Sequence, residues 1–444
     1  MFNRIVCIEY LSYFCSVLNN LSMRTVILNQ RKECERLLSL PYQERMTELP
    51  REQLLATKTI KLITGPRRVG KSVFALLLLR NKNFAYLNFD DKRLLSVWDE
   101  DLAMRTLQDV YPGYEFLLLD EVQNLPDWHF WVSKLLRNGL NMVITGSNSQ
   151  MLSQEMSTIL TGRYLPINML PFSLEEVLRW HQLDIHALPD EQRAEWLSLR
   201  DEYLRLGGYP ETLRARAMTR NYLNTLYEAI IMRDVAVRHK IRNMQALYDV
   251  ADYLLANFCN LVTANEVASE LGMRSVATTQ KFMNFLHEPF LFYYLPRYNN
   301  KLKLMQKAAR KVYVVDNGFV EASAFSVTDN LGRLLENMVF VELLRRGYDI
   351  KQSLFYYRSR TDKEVDFVTR KGHHIEQMIQ VCYDLSSEKT RKRELDALVE
   401  CAEELHCDNL YIVTYNESRT IAHGNHAVHI VSLYDWLSAD SSKP

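Results

Sequence analysis

Gly65-Pro66-Arg67-Arg68-Val69-Gly70-Lys71-Ser72 is the stretch that most narrows what this chain can fold into. It follows the apolar run Ile60 to Thr64 and precedes the apolar run Val73 to Leu79. A buried strand, a turn bounded by two glycines and a helix start are the setting in which a G-x-x-x-x-G-K-[ST] pattern binds phosphate. The glycines let the loop curl so that backbone N–H groups point inward, and the helix N-terminus adds positive potential. Lys71 then reaches the β- and γ-phosphates of a nucleotide, and the Ser72 hydroxyl sits on Mg²⁺.

With 444 residues the chain has room for two or three domains with buried cores. The formal net charge is zero, so no global basic field points to nucleic acid, and any such surface is a local patch. The cysteines are scattered without a C-x-x-C pair, which favours reduced thiols and a cytoplasmic setting over disulfides or zinc. No apolar run reaches the length of a membrane span. Residues 1–22 hold Glu9 within an aromatic, apolar stretch and lack a small-residue cleavage site, so they read as an extension outside the fold, with Met23 an alternative start.

Strands expected at 84–89, 115–120, 141–146 and 164–168 alternate with helical segments, the pattern of a parallel sheet with right-handed crossovers. The run Phe116-Leu117-Leu118-Leu119 ends in Asp120 and Glu121. At the carboxyl end of a strand beside the phosphate loop, Asp120 is placed to hold Mg²⁺ and Glu121 to polarise the attacking water. Ser147 and Asn148 close the next strand, where a polar side chain can report the γ-phosphate; turn chemistry alone also places Gly-Ser-Asn there. Arg163 is the best-placed arginine for the γ-phosphate, with a salt bridge to Glu175 or Glu176 as the alternative.

The phosphate loop, N-F-D-D (88–91), L-L-L-D-E-V-Q (117–123), T-G-S-N-S (145–149), L-T-G-R (160–163), P-F-S-L-E-E (171–176) and G-G-Y-P-E (207–211) together resemble the AAA-type ATPases of prokaryotes that carry a C-terminal nuclease-like domain. The resemblance runs from about residue 28 to 437. It implies an α/β ATPase core with strand order 5-1-4-3-2, ATP and Mg²⁺ as cofactors, a helical lid and a nuclease-like tail.

Residues 172–245 read as helical, and 246–298 change to the order of a winged helix-turn-helix. Thr278, Thr279, Gln280, Lys281 and Asn284 lie on its second helix, where a DNA reader carries base contacts; winged helices also serve as ATPase lids. Lys301, Lys303, Lys307, Arg310 and Lys311 make the local basic stretch, either a phosphate-backbone track or a solvated linker face.

From Val312 on, the element order resembles the PD-(D/E)xK nuclease fold, and Glu336, Asp366, Gln380 and Cys382 occupy its site positions. Gln380 is a weaker metal ligand than a carboxylate, and Cys382 lacks the fixed positive charge of a lysine. The two changes together point to a degenerate nuclease fold used for binding. Glu376 and Asp384 share the Gln380 strand face by parity, and Lys389 or Arg391 on the next helix offers charge. His423, His426 and His429 suggest metal, but an extended 426–429 turns its two histidines to opposite faces.

The chain thus divides into the 1–22 extension, an ATPase core at 23–178, a helical lid with winged helix at 179–310, a restriction-endonuclease-like α/β domain at 311–437 and a tail at 438–444. The function expected is a Mg²⁺-dependent ATPase acting as a nucleotide-controlled switch. The alternatives are a DNA-binding ATPase using the winged helix and residues 301–311, with residual nuclease activity, and a non-hydrolysing module for a protein partner. Oligomerisation stays open, as does whether Arg163 acts in its own subunit or across an interface.

Overall fold

The computed structural model describes residues 22–47, 49–148, 160, 162–186, 189–323 and 330–439. The chain divides into two compact units, one ending at Met169 and one starting at Leu170. The expected extension lies outside the described residues except residue 22, which opens a helix over 22–38.

In the first unit, β1 (Ile60–Thr64), β2 (Phe84–Asn88), β3 (Phe116–Asp120), β4 (Asn141–Gly146) and β5 (Tyr164–Asn168) form one parallel sheet. Its order is β2-β3-β4-β1-β5, the arrangement expected from the sequence. Every residue of β1 and β3 is buried, because strands inside a parallel sheet are covered on both faces. The two edges are managed differently. β5 carries Pro166, which is tolerated at an edge because its missing N–H leaves no ladder bond unmade. At the β2 edge, the Gln30 side-chain amide takes up both backbone groups of Asn88, each at 3.0 Å.

β1 runs directly into Gly65, whose φ of +148° and close packing exclude a side chain: a Cβ here stands 2.0 Å from the Met169 carbonyl oxygen. That approach is fixed by the Met169 N–H donating to Thr64 O at 2.7 Å, so the loop and the end of β5 lie backbone against backbone. Gly65→Ala is expected to lower the unfolding free energy by about 2–4 kcal/mol, seen as a lower urea midpoint.

The second unit begins with a helix at Leu174–Trp180, opened by a capping box in which Ser173 and Glu176 satisfy each other's backbone N–H groups. Helices Arg193–Leu206 and Thr219–Ala229 follow, the latter continuing as a π-helix over Ile230–Val237. Next come helix Met244–Ala256, β6 (Leu261–Val262), helices Ala264–Glu270 and Val276–His287, and the hairpin of β7 (Phe292–Pro296) and β8 (Arg310–Val314). These strands form an antiparallel sheet in the order β6-β8-β7.

β8 spans the domain boundary expected at 310/311. Instead of opening the last domain, it is the middle strand of this small sheet, with Lys311 opposite both Leu261 and Leu295. An apolar run announces a strand but not its partner, and this partner lies in the preceding segment. Asn337 ties the same strand to helix Leu331–Arg345. Its side chain accepts from Val314 N and donates to Val314 O, both at 2.9 Å.

The remaining strands are β9 (Leu354–Arg358), β10 (Glu364–Lys371), β11 (His374–Val381), β12 (Leu410–Thr414), β13 (Arg419–His423) and β14 (His426–Ser432). They form a mixed sheet in the order β13-β14-β12-β11-β10-β9. Helix Glu388–Leu405 buries Leu395, Leu398 and Ala402 in the core shared with Val365, Met378 and Ile412. Among the described residues no helix is long and apolar enough to cross a membrane.

Candidate functional site

All carboxyl ends of a parallel sheet lie on one edge, so the loops after β1, β3 and β4 meet there. The loop after β1 reaches its helix through Arg68 and Gly70, both in the left-handed region at φ 69° and 90°. Gly70 supplies no side-chain cap to helix Lys71–Leu78, which leaves first-turn N–H groups suited to an anion. Lys71 is buried and folds back over the loop, donating to Pro66 O at 2.8 Å. The expected nucleotide set, Gly65 to Ser72, is therefore one continuous structure.

Ser72 Oγ donates to Asp120 Oδ1 at 2.8 Å. Asp120 also accepts from Thr145 Oγ1 at 2.5 Å and from the Tyr86 hydroxyl at 3.2 Å. Burial and the neighbouring Glu121 raise its pKa to about 6 against the pull of the Thr145 and Ser72 hydroxyls and Lys71. An anion held by neutral donors beside a serine hydroxyl is a hard-oxygen set that fits Mg²⁺.

Glu121 turns the other way because its backbone is left-handed, φ 51°. Its carboxylate lies 3.9 Å from Lys71 Nζ and accepts from Gln123 Nε2 at 2.5 Å and Ser147 Oγ at 3.1 Å. Burial pushes its pKa up, but Lys71, Gln123, Arg67 and Ser147 outweigh burial and hold it below the usual glutamate value. Ser147 thus joins the acid pair, and Asn148 is buried at the end of the same segment. Sequence reasoning missed Thr145 and Gln123. Thr145 bridges the two acids, since its Oγ1 also accepts from Glu121 N at 2.9 Å.

Arg163 does not join this site in its own chain. Its carbonyl accepts from Ile60 N at 3.0 Å, at the amino end of β1, whereas the phosphate loop leaves the carboxyl end. Five residues of strand separate the two ends by about 16 Å, beyond the reach of an arginine side chain. Arg163 is exposed at that far edge.

In the second unit, Glu336 and Asp366 come together around Lys311, a cation expected in the basic stretch that reads as either a phosphate-backbone track or a solvated linker face. Lys311 is buried, with Nζ at 2.8 Å from Glu336 Oε1, 3.0 Å from Glu364 Oε1 and 2.8 Å from Asp366 Oδ1. Burial alone favours the neutral amine, but Asp366, Glu336 and Glu364 outweigh it and keep Lys311 charged. Burial and Asp366 raise Glu336 to about 7 against the pull of Lys311. The strand alternation Lys311-Val312-Tyr313 was the available signal, since Tyr313 on the same face donates to Glu336 at 2.7 Å.

Gln380 lies beside Asp366, accepting from its N–H at 3.2 Å, but its own amide donates to Glu394 at 2.8 Å. Cys382 points at Asp384 O, 3.3 Å away, and burial first, then Glu394, pushes its thiol up to about 11. The expected compensating acids are engaged elsewhere: Glu376 accepts from Tyr348, and Asp384 accepts from Ser386. His423 pairs with Asp396 and His429 with Thr420. Among the described residues no group of three His, Cys, Asp or Glu side chains is arranged to hold a metal, the three acids around Lys311 being spanned by its ammonium.

The first unit has the parallel sheet and phosphate loop of a P-loop domain, and a family model described as an AAA domain matches residues 57–178. The chain belongs to the same family as the uncharacterized protein MJ1544 of Methanocaldococcus jannaschii, to which it is 31% identical over 399 residues, 86% of this chain and 89% of that protein. An uncharacterized protein of Haemophilus influenzae is 28% identical over 410 residues, 87% of this chain and 96% of the relative. Two models, each described as a domain of unknown function (DUF8612 and DUF4143), match residues 198–329 and 331–435. Among solved structures, the Walker-type ATPase PABY2304 of Pyrococcus abyssi is 14% identical with a TM-score of 0.43, covering 64% of this chain and 99% of that one.

A carboxyl group whose native pKa is raised adds stability below its ordinary range and loses it as pH rises through the native value. For Asp120 that window ends at about 6. Asp120→Asn is therefore expected to stabilise the nucleotide-free protein by about 1–3 kcal/mol at pH 8 and to make little difference near pH 4, measured by urea unfolding at both.

Proposed function

We propose that this protein hydrolyses ATP with Mg²⁺ and uses its nucleotide state to control what residues 170–444 bind. The observation that carries this reading is Glu121, an ionised carboxylate turned by its left-handed backbone toward Lys71 and Ser147. Lys71 and the N–H groups of the phosphate loop bind the β- and γ-phosphates. Ser72 and Asp120 hold Mg²⁺, which when bound supplies positive charge to the phosphate oxygens. Glu121 orients a water molecule and takes its proton at the carboxylate. Ser147, bonded to Glu121, registers the γ-phosphate together with Asn148. Arg163 serves a neighbouring copy's γ-phosphate, a role supported by its exposure.

In the same reading, residues from 331 on are a nuclease-like fold that binds without cutting. Gln380 and Cys382 support this, since neither provides the charge that metal-assisted phosphodiester cleavage needs. Glu121→Gln is expected to lower steady-state ATP turnover by about 10²–10⁴-fold while ATP affinity stays within a few-fold. Unchanged turnover removes Glu121 from the mechanism.

A second reading, duplex DNA binding, is favoured by one observation. The helix–strand–helix–helix–hairpin order of 244–314 supports a winged helix, and its surface carries Arg274, Lys281, Lys301, Lys303 and Lys307, all exposed and in no ion pair among the described residues. Lys311 is not part of this surface. Changing Lys301, Lys303 and Lys307 to alanine is expected to weaken duplex affinity equally across sequences and to flatten its salt dependence by about two to three units of slope. Absence of duplex binding at about 50 mM salt, where such contacts are strongest, rules this reading out.

A further inference from the structure

The cluster around Lys311 is a cation site whose cation is part of the chain. Three carboxylates approach it from two elements: Glu336 from helix Leu331–Arg345, and Glu364 and Asp366 from alternate positions on β10. Alternate strand residues share a face, so both β10 acids look at the same point. That point is Lys311 Nζ, 2.8–3.0 Å from one oxygen of each. An ammonium has three N–H donors, and each finds one carboxylate.

The lysine is anchored as firmly as its ligands. Its backbone lies in the middle strand of a three-stranded sheet, paired on both sides, and its side chain is 3% exposed. Asp366 is fixed from behind by Val381 N–H on Oδ2 at 2.9 Å, and Glu336 by the Tyr313 hydroxyl. Three acids gathered in a poorly solvated place repel one another unless a positive charge stands between them. Three converging carboxylates are also what a hard divalent cation selects. The oxygens stand at the separation of charge-assisted N–H···O bonds; contraction by less than about 1 Å brings them to the 2.0–2.2 Å of Mg²⁺ or Mn²⁺.

We propose that the Lys311 ammonium is the resident cation of this carboxylate cluster, that it keeps divalent ions out, and that a neutral residue at position 311 opens the cluster to one divalent cation. The inference holds whether or not the phosphate loop hydrolyses ATP, because no residue of the first unit takes part in it.

The test uses the full-length, nucleotide-free chain and Mn²⁺ alone, counting bound Mn²⁺ by electron paramagnetic resonance in the wild type, Lys311→Met, Lys311→Gln and the double variant Lys311→Met/Asp366→Asn. Any weak binding at the phosphate loop is common to all four and cancels. Expected is a gain of about one Mn²⁺ per chain in Lys311→Met or Lys311→Gln, the number an ammonium-sized gap between three carboxylates accommodates, absent in the wild type and lost in the double variant. One more Mn²⁺ per chain in the wild type than in the double variant overturns the proposal, as does a folded Lys311→Met that gains nothing. Should both single variants lose thermal stability, added Mn²⁺ restores their midpoints if it takes the place of the ammonium; failure to restore them also overturns the proposal.

Discussion

A carboxylate removed from water needs compensation within hydrogen-bonding distance, and this chain meets that demand in two opposite ways. At Asp120 the partners are hydroxyls, from Tyr86, Ser72 and Thr145. Hydroxyls satisfy lone pairs but bring no net charge, so the acid remains costly until a cation arrives. At Glu336, Glu364 and Asp366 the partner is a lysine held in the middle of a sheet. The first arrangement favours exchange of a bound ion. The second closes the site with an ion that cannot leave.

The polarity of the parallel sheet orders everything at the first site. Ser72, Asp120, Glu121, Thr145 and Ser147 belong to three separate strand ends and the segments that follow them, yet each lies at or just past the carboxyl end of a buried strand and so arrives at one edge. Neighbouring acids at 120 and 121 then take different tasks because one residue is extended and the next left-handed. The same polarity removes Arg163, which precedes its strand.

Much of the first unit was legible because its signals are local. Apolar runs bounded by polar residues marked the five strands, and the resemblance carried by the phosphate loop and the motifs after it implied their order. Thr145 escaped notice because a threonine at a strand end reads as turn chemistry, while its value lies in reaching two acids from the neighbouring strand. In the second unit the decisive contacts are between distant residues. β13 has mixed, largely exposed side chains and left no periodic trace. β8 was apparent as a strand, but its neighbours were not. Lys311 was grouped with exposed lysines by proximity in sequence, and Glu364 was passed over because attention to a known motif pointed to Gln380.

The fixed backbone of Lys311 has a genetic consequence. Both lysine codons are a single base change from a glutamine codon, while the acids that face Lys311 sit on other elements and need no change of their own. The kind of ion this fold carries is therefore adjustable in one mutational step, with the strands and helix that frame it already in place. A descendant chain need not assemble such a centre ligand by ligand; it has only to lose one amine.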